Sequence, residues 1–188
     1  SNKTFEAERI YEFSGKESAI RAFVEGGISI AVWDKVIKKD MIVPFNNSYF
    51  SEDAKYVWDL LTLNEEVNVV VTSRQLYHYV KHTGSLTSAE ITKEHLSIAK
   101  FGEECAAYIL EKYKNKELAN LMLYNAYAHL LKLVMKAYRF GKNELTDLEV
   151  LVLVRRLKDL KEVGEEKEKN HMHNINNILD IFTMKLGA

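Results

Sequence analysis

The chain has 188 residues, 47% of them apolar, with 26 basic and 27 acidic side chains and a net charge of −1. That length suits one domain or one small domain with an appendage, and the apolar content allows a core without disulfides or metal. The charge balance gives no reason to expect a nucleic-acid partner. The single cysteine, Cys105, excludes an internal disulfide and suits a reducing compartment, and no apolar run reaches the roughly 18 residues of a membrane span.

No signal peptide is visible, and the chain starts at Ser1-Asn2 instead of methionine. That start reads as the scar of a cleaved tag and predicts a native start upstream of Lys3, hence a piece of a larger protein. One proline and eight glycines point to long regular elements with few linkers.

In chain order, residues 4–13 are mixed and give no clear element. Ser14-Gly-Lys-Glu17 has the pattern of a capping box, and Ala19, Ile20, Phe23 and Val24 then recur at helical spacing up to Gly26-Gly27. Ile28, Ile30 and Val32 alternate as in a strand. Residues 33–40 read as a short amphipathic helix, and Pro44 with Asn46-Asn47 marks a loop. Ser51 is a good N-cap for a helix carrying Tyr56, Val57, Leu60 and Leu61, closed by Asn64 and Glu65. Val67, Val69 and Val71 alternate, and so do Leu76, His78 and Val80 with Tyr77 and Tyr79 between them. Two such runs joined by a short link predict a hairpin.

From Thr92 the character changes. Leu96, Ala99, Ala106, Ile109 and Leu110 suit a helix over 93–114. Asn115 can cap a second helix running from Leu118 through Leu131 to Gly141. Thr146-Asp-Leu-Glu149 is another capping box. The apolar run 150–154 after it reads as a buried helix reaching Leu160, with a stop at Gly164. Ile175, Ile178, Leu179, Phe182 and Leu186 form a narrow stripe on a last helix. The prediction is a mainly α chain of α+β class. A small β-hairpin/helix segment over 3–91 precedes a bundle of about four helices over 92–188.

The adjacent carboxylates Glu52-Asp53 are the first candidates for chemistry. A carboxylate in the first turn of a helix is held in a defined position, where it can serve as a general base. Acidic residues after a serine N-cap are also common simply because they complement the helix dipole, and on the pair alone that is the commoner meaning. The surrounding motifs shift the balance. Trp33-Asp-Lys-Val-Ile-Lys-Lys39, Glu52-Asp53 before a helix, Leu76-Tyr-His-Tyr79 and Gly84-Ser-Leu-Thr87 occur in that order. This order resembles the distal half of the catalytic domain in bacterial family 2 glycosyltransferases of the GT-A type. That family has Asn-Lys-Leu-(Tyr/Phe)-Lys-Lys/Arg, a Glu-Asp pair, a Leu-Tyr-x-Tyr strand and a Gly-Ser-(Ile/Leu)-Thr turn. The likeness covers roughly residues 18–87.

The resemblance implies transfer of a sugar from a nucleotide-sugar donor to a glycan, glycolipid, lipid-linked or protein acceptor of the cell envelope. Carried over by position, Asp53 is the general base and Glu52 its neighbour, which holds the loop or contacts acceptor. Trp33, Asp34, Lys35 and His78 fall at substrate-contacting positions. Lys81 or His82 would supply positive charge toward a diphosphate. Two departures bear on these contacts: Val80 stands where arginine is frequent, and Asp34 replaces asparagine. The resemblance also implies a cytoplasmic enzyme, with peripheral association at the inner face of the membrane, and a Mg or Mn ion in the complete protein. The family's Asp-x-Asp motif and any glycine-rich phosphate loop are absent from these 188 residues. No cofactor is therefore expected for this segment, which reads as an acceptor-side fragment inactive alone.

Other candidates are weaker. His171-Met-His173 near Glu165, Glu166 and Glu168 has no established zinc spacing, and residues two apart on a helix face different ways; a solvated linker is the better reading. Cys105 reads as a buried structural thiol. Tyr124, Tyr127 and Tyr138 read as core and groove-edge residues, with a sugar-binding aromatic as the other use. The rival functional reading makes the helices an interaction module for oligomerisation, membrane docking or acceptor-protein binding, covered by a partner such as a second copy.

Overall fold

The computed structural model describes residues 8–46, 48–74, 76–78, 80, 91–140 and 144–160. The chain is mainly helical with one small antiparallel sheet, as the sequence predicts. It divides into two compact units. The first comprises Ser1–Asn46 and Glu52–Ser85, and the second Asn47–Ser51 and Leu86–Ala188.

The first unit holds β1 (Ile10–Ser14), α1 (Lys16–Val24), α2 (Glu52–Leu63) and β2 (Asn68–Thr72). α1 buries Ala19, Ile20, Phe23 and Val24, the positions that the helical spacing marks. They pack on α2, where the Phe23 and Trp58 rings lie 5.8 Å apart. Each large side chain removed from water here contributes roughly 1.5–3 kcal/mol before entropy is counted. α2 also buries Asp59, whose charge is met by Lys55 one turn earlier at 2.5 Å. Asn64 closes the helix: its amide donates to Leu60 O at 2.9 Å and to Met41 O at 3.1 Å.

Several local expectations for this unit are corrected. β2 does not form a hairpin with the tyrosine run. It pairs antiparallel with β1, Ile10 opposite Thr72 and Phe13 opposite Val69. Residues 76–78 and 80 are exposed and carry no regular structure. Alternation specifies a strand's faces but not its partner, and the ladder continues outward from β1 through Ser73 N–H to Arg9 O at 2.9 Å. The Ser14–Glu17 capping box does not form, because Ser14 is paired with Asn68 as the last residue of β1. Gly15, at φ 82°, takes the N-cap position instead, a conformation that glycine adopts without strain. Residues 28–38 are neither strand nor helix. They form an irregular loop ending in a short 3-10 turn, Lys39–Met41, with local partners for its backbone: Lys35 N–H donates to Val32 O at 3.2 Å and Ala31 N–H to Ser29 Oγ at 3.2 Å.

The second unit holds α3 (Ser97–Tyr113), α4 (Lys116–Phe140) and α5 (Asp147–Asp159), with a 3-10 turn, Lys93–Leu96, leading into α3. α3 packs on α4 and α4 on α5. Leu130, Leu131 and Val134 of α4 are fully buried against Ile98, Ala99, Val150, Leu153 and Leu157. Cys105 is buried, as expected. The helix ends follow the sequence closely. Asn115 Oδ1 accepts from Leu118 N–H at 2.9 Å. Thr146 and Glu149 form the capping box reciprocally, with Thr146 N–H donating to Glu149 Oε2 at 2.8 Å. Among the described residues no helix is long and apolar enough to cross a membrane. The expected last helix, over 174–186, and the His171/His173 pair lie outside the described residues, as do Gly141 and Gly164.

Candidate functional site

Asp53 sits in the first turn of α2, half-buried, next to the exposed Glu52. Its Oδ2 accepts a long hydrogen bond, 3.4 Å, from the backbone N–H of Val32. The irregular loop 28–38 is thereby brought to the head of the helix. The residue after Val32 is Trp33, whose ring lies 4.7 Å from that of Tyr77 with the planes 34° apart. Both rings are about half exposed, Trp33 at 45% and Tyr77 at 55%. Lys35 then folds back, donating to Ala31 O at 2.6 Å and pairing with Asp34 Oδ1 at 2.7 Å. Burial pushes the Asp34 carboxyl up, but hydrogen bonds from Lys35 and Ser29 and the Lys35 charge more than offset it. The net effect holds the Asp34 carboxyl below the ordinary carboxylate range.

The loop thus meets the Asp53 carboxylate at Val32 and the Tyr77 ring at Trp33, with the Asp34–Lys35 pair following in the chain. His78 is exposed beside Tyr77 in the chain. Lys81, His82, Tyr79 and the Gly84-Ser-Leu-Thr87 turn lie outside the described residues. Tyr77 belongs to the motif, but its pairing with Trp33 has no local signal, because the two residues are joined only through tertiary structure. The chemical content is a carboxylate held by a helix end and a backbone N–H, beside an exposed aromatic surface with a neutralised Asp–Lys pair. Aromatic faces of this kind stack on the apolar faces of sugar rings, and a carboxylate at their edge can accept a hydroxyl proton. Among the described residues no three His, Cys, Asp or Glu side chains gather in a way that would hold a metal ion.

Among the described residues of the second unit are two concave features that the sequence does not announce. One is a cleft of about 530 Å³ beside Tyr49, Phe50, Lys93 and Lys100. Here Tyr49 OH donates to Glu104 Oε2 at 2.6 Å, and Phe50 N–H donates to Ser97 Oγ at 2.8 Å. The second is a groove of about 380 Å³ along α3 and α5, edged by Glu103 and Arg156. Glu103 accepts from Arg156 and, at 2.8 Å, from Tyr127 OH. Burial, then the bond to Glu103, holds the Tyr127 hydroxyl above its ordinary value, so it stays a donor. Tyr124 and Tyr127 are buried, in keeping with a core and groove-edge role.

His95 in the 3-10 turn before α3 is buried, its ring 3.6 Å from that of Phe50, and its Nδ1 accepts from Thr92 N–H at 3.2 Å. Burial lowers its pKa, because the imidazolium is poorly solvated there. Unfolded His95 takes a proton near pH 6.5 while the folded residue resists it. The stability it contributes is therefore present above about pH 6.5 and is lost as pH falls from there through the folded value. Melting temperature measured from pH 7.5 to 5 should fall more steeply for the native chain than for His95→Gln. Parallel curves would show that His95 does not titrate against folding.

No family model, curated protein or solved structure matches this chain.

Proposed function

We propose that this chain is the acceptor-side part of a family 2, GT-A-type glycosyltransferase, with Asp53 as the general base that deprotonates the acceptor hydroxyl. One observation supports this reading most. Residues of three stretches that carry the resemblance, 33–39, 52–53 and 76–79, come together in one unit: Trp33 packs on Tyr77, and its chain neighbour Val32 donates to Asp53. In the reaction, the acceptor oxygen attacks the anomeric carbon as its proton passes to the Asp53 carboxylate and the nucleotide diphosphate leaves. Trp33 and Tyr77 offer a face for the acceptor sugar. Lys35 keeps Asp34 ionised and fixes the loop that carries Trp33.

In this reading the nucleotide-binding half and its cation come from sequence outside these 188 residues. The acceptor is a glycan, glycolipid or protein of the cell envelope, reached from the inner face of the membrane. The 188-residue chain incubated with uridine-, guanosine- and thymidine-linked sugars plus Mn²⁺ is expected to transfer no sugar, whereas the complete enzyme does. Metal-dependent turnover by the chain alone would overturn the fragment reading. Absence of transfer by the complete protein across donors and acceptors would overturn the glycosyltransferase reading itself.

A further inference from the structure

α5 is apolar on two opposite sides. Val150, Leu153, Val154 and Leu157 recur at helical spacing and are buried in the bundle. Leu148, Leu151 and Val152 point the other way and are 70%, 39% and 44% exposed. Their face runs into the groove along α3 and α5, where Leu96, Ala99, Leu148, Val152 and Leu153 supply the apolar wall. The Glu103–Arg156 pair stands at the edge, with Tyr127 OH beneath it. Scattered exposed apolar residues need no explanation, but a continuous strip opening into a groove calls for cover.

The chain itself contains a matching strip. Ile175, Ile178, Leu179, Phe182 and Leu186 follow the spacing of one helical face, over a segment about as long as α5. α5 has 13 residues and is about 20 Å long at roughly 1.5 Å per residue. The connector over 160–173 reaches well beyond that length at about 3.3 Å per residue, so the strip can return along α5 in the antiparallel sense. The connector is rich in Glu and Lys and has no need of burial itself. A second copy of the chain is the rival occupant, as an interaction module would require. Three aliphatic side chains and a shallow groove offer little of the roughly 800 Å² per partner that a stable interface buries. A tethered segment instead faces the groove at an effective concentration in the millimolar range.

We propose that the strip Ile175–Ile178–Leu179–Phe182–Leu186 covers the Leu148/Val152 face of α5 and fills the adjoining groove, making the second unit a four-helix bundle within one chain. The proposal concerns this unit alone and does not rest on the glycosyltransferase reading. Its test is a double-mutant cycle in the full 188-residue chain. Val152→Asp and Phe182→Asp are each expected to lower the melting temperature by on the order of 5–10 °C. Their combination should lower it no further than the worse single variant, with a monomeric mass by light scattering throughout. Val152 points away from the core of α3, α4 and α5, so an aspartate there leaves that core intact. An unchanged melting temperature for either single variant, or fully additive losses, would overturn the proposal. So would a concentration-dependent dimer that either variant dissociates, which would assign the face to a second copy. As a fold-preserving check, Val152→Cys combined with Phe182→Cys should form an intramolecular disulfide on mild oxidation, while Val152→Cys with Asn176→Cys should not. Equal cross-linking of the two pairs, or none in either, would also overturn it.

Discussion

Asp53→Asn in the complete protein is expected, under the proposed glycosyltransferase function, to lower turnover by on the order of 10²–10⁴-fold, with a far smaller change in the donor's dissociation constant. The amide keeps the size of the side chain and can still accept from Val32 N–H through its carbonyl oxygen, so the loop stays attached to the head of α2. It cannot take the acceptor proton. The loss should therefore fall on kcat and leave the melting temperature within a degree or two. Glu52→Gln should be milder, because Glu52 is exposed and takes no such loop contact. Near-normal turnover by a folded Asp53→Asn variant would remove Asp53 from the role of base. A parallel loss of stability and activity would instead identify it as the residue that holds the Val32 loop.

The second large effect is expected at Gly102, midway along α3. A glycine inside a helix costs about 1 kcal/mol relative to alanine, so its presence there needs a reason. The reason is close approach to α4: a Cβ at position 102 would fall well inside van der Waals contact with Ala126 Cβ, and 3.8 Å from Met122 O. Neither group sits at the end of a flexible side chain, so the two helices must separate to admit it. Gly102→Val is expected to cost about 3 kcal/mol through overpacking, which lowers the melting temperature by about 6–12 °C in a chain of this size. Gly102→Ala should cost less, since improved helix propensity offsets part of the clash. Adding Ala126→Gly to Gly102→Ala should restore most of the loss, because it removes the facing methyl group. If the pair is no more stable than Gly102→Ala alone, the α3–α4 contact is not what limits residue size at this position.

These two sites divide differently between sequence and fold. Asp53 was legible because a helix start is local: the acidic pair, the apolar spacing behind it and Asn64 at the far end lie within one continuous stretch. The same holds for Asn115 at the head of α4 and for the Thr146–Glu149 box at the head of α5, where both partners lie within one turn. Such bonds need only a few residues of one turn, so residue type and spacing locate them where no tertiary pairing claims the cap residue, as the β1–β2 ladder claims Ser14. The helical character of the chain and the burial of Cys105 and of the α1 core positions were legible for the related reason that apolar periodicity records which side of an element meets the core.

The tertiary structure decided what involves choosing a partner. Val67, Val69 and Val71 announced a strand, but an alternating run fits many edges, and only the fold selects Ile10–Ser14 over the nearby tyrosine run. That choice also takes Ser14 from its capping box and leaves Tyr77 for Trp33. The run 150–154 is continuously apolar because α5 offers apolar side chains on two sides, and no periodicity shows which side the bundle takes. Gly102 beside Ala126 and Glu103 beside Arg156 are pairs far apart in sequence, where proximity is set by how helices pack and not by any local preference. By itself the sequence determined that α1 to α5 are present, which face α1 buries and which carboxylate stands at the head of α2. The fold decided which loop that carboxylate meets, because the choice of a long-range partner depends on the summed packing of many residues, none of which encodes it alone.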